Sequence, residues 1–244
     1  DCSIDTMATA AGTGIPTDLE DNCTAATALV VTYADFIDVS GTCPSNITIT
    51  RTWTVTDHCG NATSKDQVIT VIDNTAPTFT VPGDITIYRD ADCNYDADPD
   101  ETGRPTAVAD NCTPLAELDV VYNDVQETST VCESNLTITR TWTVTDACGN
   151  ATSATQTITV EDNTAPTFDV PANITVYRDA DCNYNVNPDE TGKPTAVADN
   201  CTAADDLQVV YTDVVAQTLG ECEKNLTITR TWTVTDECGN ATSK

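Results

Sequence analysis

The chain sets 39 acidic side chains against 10 basic ones in 244 residues, a formal charge of −29. Such a surface repels polyanions, which excludes nucleic acid and anionic lipid as partners. The longest apolar run, at residues 28–31, is far short of a membrane span, so direct membrane insertion is not expected.

The acids are interleaved with alternating apolar residues, unlike a disordered acidic tail. The sequence also repeats. Trp53 and Trp142 lie 89 residues apart, Trp142 and Trp232 lie 90 apart, and Cys112 and Cys201 again lie 89 apart. A unit of about 90 residues can bury its own core, whereas repeats of about 20–50 residues need stacked neighbours. Three domains in series are therefore expected, at 1–73, 74–162 and 163–244. The numbering is out of phase with the repeat: Asp1-Cys2 matches Asp181-Cys182, and Lys244 precedes the strand that residues 68–72 supply in the first copy. The chain is expected to be a window on a longer protein, with the first copy lacking its opening strand and the third its closing one.

In chain order, the first element with a clear period is the stretch 46–64, spelled again at 135–153 and 225–243. In the middle copy Leu136, Ile138, Arg140, Trp142 and Val144 alternate with threonines, which puts them on one face of a half-buried strand. Asp146 to Asn150, with Gly149 free to take positive φ, turn the chain into a second alternating run at 155–160, so the unit is a long hairpin. The linker Asp73-Asn74-Thr75-Ala76-Pro77 follows the first copy. Phe79, Val81, Ile85 and Ile87 then alternate as a first strand, and an acidic loop spans 90–103. A short strand at 105–109 ends in the turn Asp110-Asn111-Cys112. Leu118, Val120 and Tyr122 open the next strand, and a variable segment at 126–132 leads into the hairpin. Short strands at roughly ten-residue spacing with turn residues between them point to an all-β, immunoglobulin-like antiparallel sandwich.

Twelve cysteines fall four per repeat: Cys2, Cys23, Cys43 and Cys59; Cys93, Cys112, Cys132 and Cys148; Cys182, Cys201, Cys222 and Cys238. An even set at fixed offsets reads as disulfides made in an oxidising compartment. Zinc is the alternative, but there is no C-x-x-C, and the single histidine, His58, is replaced by Ala147 and Glu237 in the other copies.

The runs D-N-T-A-P-x-F, P-x-x-I-T-V, A-D-N-C and T-x-T-W-T-V-T-D-x-C-G-N resemble HYR-type immunoglobulin-like repeats, which recur in giant surface adhesins of gliding and biofilm-forming Bacteroidota. The resemblance covers almost the whole chain and implies a tandem sandwich serving as an extracellular stalk or filament. In that fold the turns holding Cys112 and Cys148 share one end of a domain, and the loops holding Cys93 and Cys132 share the other. Cys93–Cys132 with Cys112–Cys148 is then the favoured pairing, repeated as Cys182–Cys222 with Cys201–Cys238 and as Cys2–Cys43 with Cys23–Cys59. Each would close a loop of about 35–40 residues, contributing roughly 3–4 kcal/mol on the loop-entropy model.

Two acidic constellations are candidate calcium sites. In the loop at 90–103, Asp96, Asp98 and Asp100 alternate beside Glu101, and the third copy keeps oxygens there with Asn185, Asn187, Asp189 and Glu190. A calcium loop tolerates that Asp-to-Asn exchange, and a solvated turn is the other reading. At the joints, Asp73-Asn74 and Asp162-Asn163 precede domains whose turns carry Asp110 with Asp146, or Asp199 with Asp236. Their oxygens could converge on one ion, or each aspartate could cap its own turn.

Arg51, Arg140 and Arg230 sit on the apolar strand face, where each is expected to pack its stem on the neighbouring tryptophan and reach a carboxylate at the sandwich edge. The N-x-T sequons at Asn46, Asn61, Asn135, Asn150 and Asn225 read as chance products of threonine-rich strands. Rows of threonine on a twisted sheet lack the flatness of an ice-binding array. Serine-hydrolase elbows, zinc-protease motifs, P-loops and dinucleotide turns do not occur, and a carboxylate pair repeated in every domain does not describe a glycosidase, so an enzyme is not expected. The expected role is mechanical, with neighbouring repeats of the same longer chain as partners. The alternative is a module that binds glycans or proteins through loops such as 126–132 and 216–222, which differ between copies.

Overall fold

The computed structural model describes residues 12–39, 41, 43–217 and 225–244. Its strands, in chain order, are β1 (Val30–Asp38), β2 (Ile47–Thr56), β3 (Ala62–Val71), β4 (Thr78–Thr80), β5 (Ile85–Tyr88), β6 (Thr106–Ala109), β7 (Asp119–Thr128), β8 (Leu136–Thr145), β9 (Ala151–Glu161), β10 (Thr167–Asp169), β11 (Thr195–Ala198), β12 (Gln208–Gln217), β13 (Leu226–Thr235) and β14 (Ala241–Ser243). Two one-turn helices, α1 (Pro99–Thr102) and α2 (Pro188–Thr191), interrupt them. The sheets run β1-β2-β3, β5-β9-β8-β7 and β12-β13-β14, with two-stranded pairs β4-β6 and β10-β11. The fold is all-β and immunoglobulin-like, as its alternating strands and turn residues predict.

The chain divides into two compact units. One is Asp1–Pro82 with Arg104–Asn123 and Thr141–Thr155; the other is Gly83–Gly103 with Asp124–Arg140 and Gln156–Lys244. The division falls inside the middle repeat. Each junction between repeats therefore lies wholly within one unit.

In the first unit β2 is the central strand of its sheet, and the period-two pattern decides its faces. Arg51 and Ile49 are buried at 0% and 1% exposure. Register sets Asp35 of β1 and Gln67 of β3 on either side of Arg51, and Tyr33 opposite Trp53. Arg51 donates to both carboxylate oxygens of Asp35 at 2.7 and 2.8 Å and to Thr13 Oγ1 at 2.5 Å. Its guanidinium lies 4.4 Å from the centre of the Tyr33 ring. Gln67 completes the network, accepting from Trp53 Nε1 at 2.9 Å and donating to the Thr13 carbonyl at 2.6 Å.

The second unit repeats this arrangement on two cores. Ile138, Ile158 and Val160 pack with Ile87, Tyr95, Ala97 and Leu136, and Phe168, Leu207, Trp232 and Val234 form the other cluster. Arg140 donates to both oxygens of Asp124 at 2.8 Å, to Thr102 Oγ1 at 2.7 Å and to the Ala97 carbonyl at 2.6 Å. Buried Gln156 donates to the carbonyls of Gly83 and Thr102. Arg230 does the same with Asp213, Thr191 and the Val186 carbonyl. The arginines thus reach carboxylates, as expected, on the neighbouring edge strands β1, β7 and β12. Arg140 also ties the acidic loop to the sheet through the buried Thr102, and Arg230 does so through the part-buried Thr191.

Two local differences from the sequence reading have plain causes. The first strand is not continuous: β4 pairs antiparallel with β6, whereas β5 runs parallel to β9. Pro82 and Gly83 fall between them, and proline cannot donate to a ladder. The acidic loop, read as a loop throughout, holds α1. Asp98 caps that helix by accepting from Asp100 N at 2.9 Å, and Pro99 supplies a pre-set φ in its first turn. The variable segment at 126–132 begins as β7, and most of its counterpart at 216–222 lies outside the described residues.

The buried arginine generates two predictions. Asp124→Ala leaves the Arg140 charge buried without its carboxylate and should lower unfolding stability by about 3 kcal/mol in a denaturant titration. Hydrogen bonds from Arg51 and Arg230 hold the carboxyls of Asp35 and Asp213 below the ordinary value of 3.8, against the opposing pull of burial. Their contribution is present above pH 3.8 and lost as pH falls through the depressed folded values. Urea midpoints should therefore decline on acidification below pH 3.8, and Arg230→Met should flatten that decline for the second unit.

Candidate cation sites and the joints between repeats

Each joint is built on one linker aspartate. Asp73 donates its N–H to Asn46 Oδ1 at 2.6 Å, and its carbonyl accepts from Asn150 Nδ2 at 3.2 Å. Asp162 repeats this with Asn135 at 2.7 Å and Asn240 at 3.0 Å. One asparagine belongs to the repeat before the linker and the other to the repeat after it. The linker backbone is therefore held from both sides, and the loop before one hairpin is brought against the turn of the next.

That apposition decides the disulfides. Cys43 bonds Cys148, Cys93 bonds Cys201 and Cys132 bonds Cys238, with Cα atoms 4.5, 5.0 and 4.8 Å apart. Every one of these bonds joins different repeats. The expected pairs Cys93–Cys132, Cys112–Cys148 and Cys201–Cys238 are not formed, and Cys43 is taken by Cys148 and not by Cys2. Cys23 and Cys59 are exposed thiols and do not bond each other. Cys112 is disulfide-bonded. The expected pair Cys182–Cys222 involves Cys222, which with Cys2 lies outside the described residues. The connectivity differs as well as the copy: Cys201 is the counterpart of Cys112 and Cys238 of Cys148, so position Cys93 pairs with position Cys112 and position Cys132 with position Cys148, each one repeat on.

The same apposition gathers carboxylates. Asp73, Asp110 and Asp146 bring one oxygen each within 4.8 Å of one another, as do Asp162, Asp199 and Asp236. Turn capping occupies part of each set. Asp110 Oδ2 accepts from the N–H groups of Cys112 and Thr113, and Asp199 Oδ2 from those of Cys201 and Thr202. Asp146 and Asp236 use both oxygens on Asn150 and Asn240. Left over and buried without a hydrogen bond are Asp73 Oδ2 and Asp110 Oδ1 at the first joint, and Asp162 Oδ2, Asp199 Oδ1 and Asn200 Oδ1 at the second. Each of these acids thus caps its turn with one oxygen or more, and two carboxylates at each joint keep another over.

Buried, unpaired carboxylate oxygens facing like charge are costly unless a cation or a proton neutralises them. Asp162 is 4% exposed, and burial first, then the charges of Asp199 and Asp236, push its carboxyl above the ordinary value. Asp146 shifts the other way: burial opposes ionisation, but hydrogen bonds from Asn150, Cys148 and Gly149 outweigh it. A set of oxygens with no nitrogen or sulfur ligand suits a hard divalent ion, calcium or magnesium.

The loop acids stand apart from these clusters. Asp96, Asp98, Asp100 and Glu101 are exposed, as are Asn185, Asn187, Asp189 and Glu190. Asp96 Oδ1 accepts from Asp98 N and Asp98 Oδ1 from Asp100 N, and Asn185 and Asn187 repeat the pattern. Capping therefore supplies a reason for alternate oxygens and for the exchange of Asp with Asn, since either offers the one acceptor required. Asn74 and Asn163 are exposed.

Fold and site together define a disulfide-bonded, immunoglobulin-like repeat module whose junctions gather buried acids. Among the described residues no helix is long and apolar enough to cross a membrane. No family model matches the chain, and no curated protein matches it. Among solved structures it is similar to the extracellular domain of protocadherin GammaB4, at 11% identity and a TM-score of 0.28, over 88% of this chain and 44% of that one. At that similarity nothing about function is drawn from it.

A divalent ion at about one hundred times its dissociation constant should raise stability by about 2.7 kcal/mol per site. Asp162→Asn separates a ligand from a cap. Without metal it should leave stability unchanged or higher, because it removes a buried like charge; with calcium it should lose the second site's share of the gain. Thermal melts with calcium and with chelator read both signs.

Proposed function

We propose that the chain is a structural segment of a secreted, cell-surface repeat adhesin: a stalk or filament shaft of three domains at 1–73, 74–162 and 163–244, with calcium bound at its joints. The resemblance of its motifs to HYR-type repeats supports the surface setting, and the disulfides fit an oxidising compartment. One observation carries the mechanical reading: the disulfides overlap along the chain. From Cys43 a covalent route crosses to Cys148, returns 16 residues (148 − 132) to Cys132, and crosses to Cys238. The peptide route between the same ends is 195 residues (238 − 43). Tension applied along the chain would bypass nearly all of the domains, so pulling could not unravel them. At each joint, calcium would neutralise carboxylates that otherwise repel in a strongly acidic chain. The neighbouring repeats of a longer chain are its main partners, and no catalytic role is assigned.

Force–extension measurements test this. Pulled by its ends without reductant, the chain should release the segments outside Cys43–Cys238 but, between those cysteines, only the short covalent route. With reductant it should gain roughly 600 Å of contour, at about 3.4 Å for each residue set free. Equal contour lengths in the two conditions would overturn the mechanical reading.

A further inference from the structure

We infer that Cys23 and Cys59 are the receiving half of a further junction. Their thiols are set to take two disulfides from another repeat of this type, at the positions that Cys93 and Cys132 hold in the middle repeat. This goes beyond the mechanical role and does not depend on it.

The inference rests on what the equivalent residues do. Cys23 stands in Asp21-Asn22-Cys23-Thr24, spelled again as Asp110 to Thr113 and Asp199 to Thr202. Cys59 stands in Asp57-His58-Cys59-Gly60-Asn61, matching Asp146 to Asn150 and Asp236 to Asn240. In those later copies Cys148, Cys201 and Cys238 each bond a cysteine of the preceding repeat, 105, 108 and 106 residues earlier. The same separations counted back from Cys23 and Cys59 fall before Asp1, so no position of this sequence is in register to supply the partners.

The first copy has the receiving geometry without the bonds. Asp21 Oδ1 accepts from the N–H groups of Cys23 and Thr24 at 2.9 and 2.6 Å, as Asp110 does in its turn. Asp57 accepts from the backbone and side chain of Asn61 at 2.7 Å, as Asp146 does from Asn150. Both thiols are exposed. Asp21 and Asp57 hold the positions of Asp110 and Asp146, so the linker aspartate of a docked repeat would also supply the third carboxylate of a cluster like those at the other joints.

Each bond forms when two thiols give up two protons and two electrons to a disulfide oxidant, which departs as two thiols; oxidised glutathione serves in the test. The 244-residue chain is compared with one lengthened at its N-terminus by a second copy of residues 92–180, which ends in phase with Asp1. Both are refolded with oxidised glutathione, alkylated in denaturant without reduction, and mapped. In the 244-residue chain both Cys23 and Cys59 should carry label. In the lengthened chain that label should be lost and should appear on the added copies of Cys112 and Cys148, with peptides joining the added Cys93 to Cys23 and the added Cys132 to Cys59. Label that persists on Cys23 and Cys59 while Cys43–Cys148 has formed overturns the inference, as does a Cys23–Cys59 link. A variant of the 244-residue chain covers misfolding of the lengthened one. Cys43→Ser should leave Cys148 alkylated, whereas a Cys59–Cys148 bond would show that these turns pair without regard to register and would refute the proposal.

Discussion

Everything at a joint depends on how the linker aspartate is held. A peptide unit whose N–H goes to one repeat and whose carbonyl goes to the next cannot swivel without breaking a hydrogen bond. Each such bond contributes only about 1 kcal/mol net, but together they fix the distance between two loops. With that distance set, Cys132 meets Cys238 and the Asp162 carboxylate is driven in among Asp199 and Asp236. The covalent bonds and the charge cluster are thus two results of one backbone constraint. The linker carries both at once because its side chain and its peptide groups point to different partners.

The forward-facing cysteines need a rigid platform of their own, and the buried arginines help supply it. Arg140 lies against the sheet but spends two of its hydrogen bonds on Thr102 and Ala97, which belong to the acidic loop. Arg89 holds that loop near its start, donating to the carbonyls of Cys93 and Ser134. Asn200 of the following repeat then closes on the Asp90 carbonyl at 3.0 Å. Cys93 therefore approaches Cys201 from a loop fixed to its own sheet. A buried guanidinium with five donors in a fixed fork suits that task better than a lysine, because it can serve one carboxylate and two loop oxygens together.

How much of this was legible in sequence follows from what a repeat can and cannot encode. Period two along Leu136 to Val144 assigned the faces correctly, down to the buried arginine, because a strand has only two faces. The convergence of Asp73 with Asp110 and Asp146 was also readable, since turn residues of a sandwich collect at known ends. The pairing of the cysteines was not. Domains treated one at a time close their bonds within themselves, and nothing in a tandem repeat marks the copy to which a partner belongs. The signal that could have helped was present at Asn46, Asn135, Asn150 and Asn240, which recur in register and grip the linkers. Their threonine-rich N-x-T surroundings account for them equally well as chance sequons. In the loop at 90–103 the alternate oxygens of Asp96 and Asp98 each accept a backbone N–H, and Asp98 caps α1.

Disulfides between repeats do something that staples within repeats could not. A bond inside each domain would stabilise the domains and leave the joint as the weakest part of the chain. Here each bond closes a loop of more than a hundred residues, for which the loop-entropy model gives about 4.7 kcal/mol, more than the roughly 3–4 kcal/mol of a shorter loop. The closed loops also overlap, because Cys93 lies between Cys43 and Cys148 and Cys132 lies between Cys93 and Cys201. A repeat that unfolds therefore does so inside loops its neighbours still hold shut, which limits the entropy its chain can gain. Stability becomes a property of the array more than of any one domain. It also comes to depend on redox conditions at the joints, the same places that gather the buried acids.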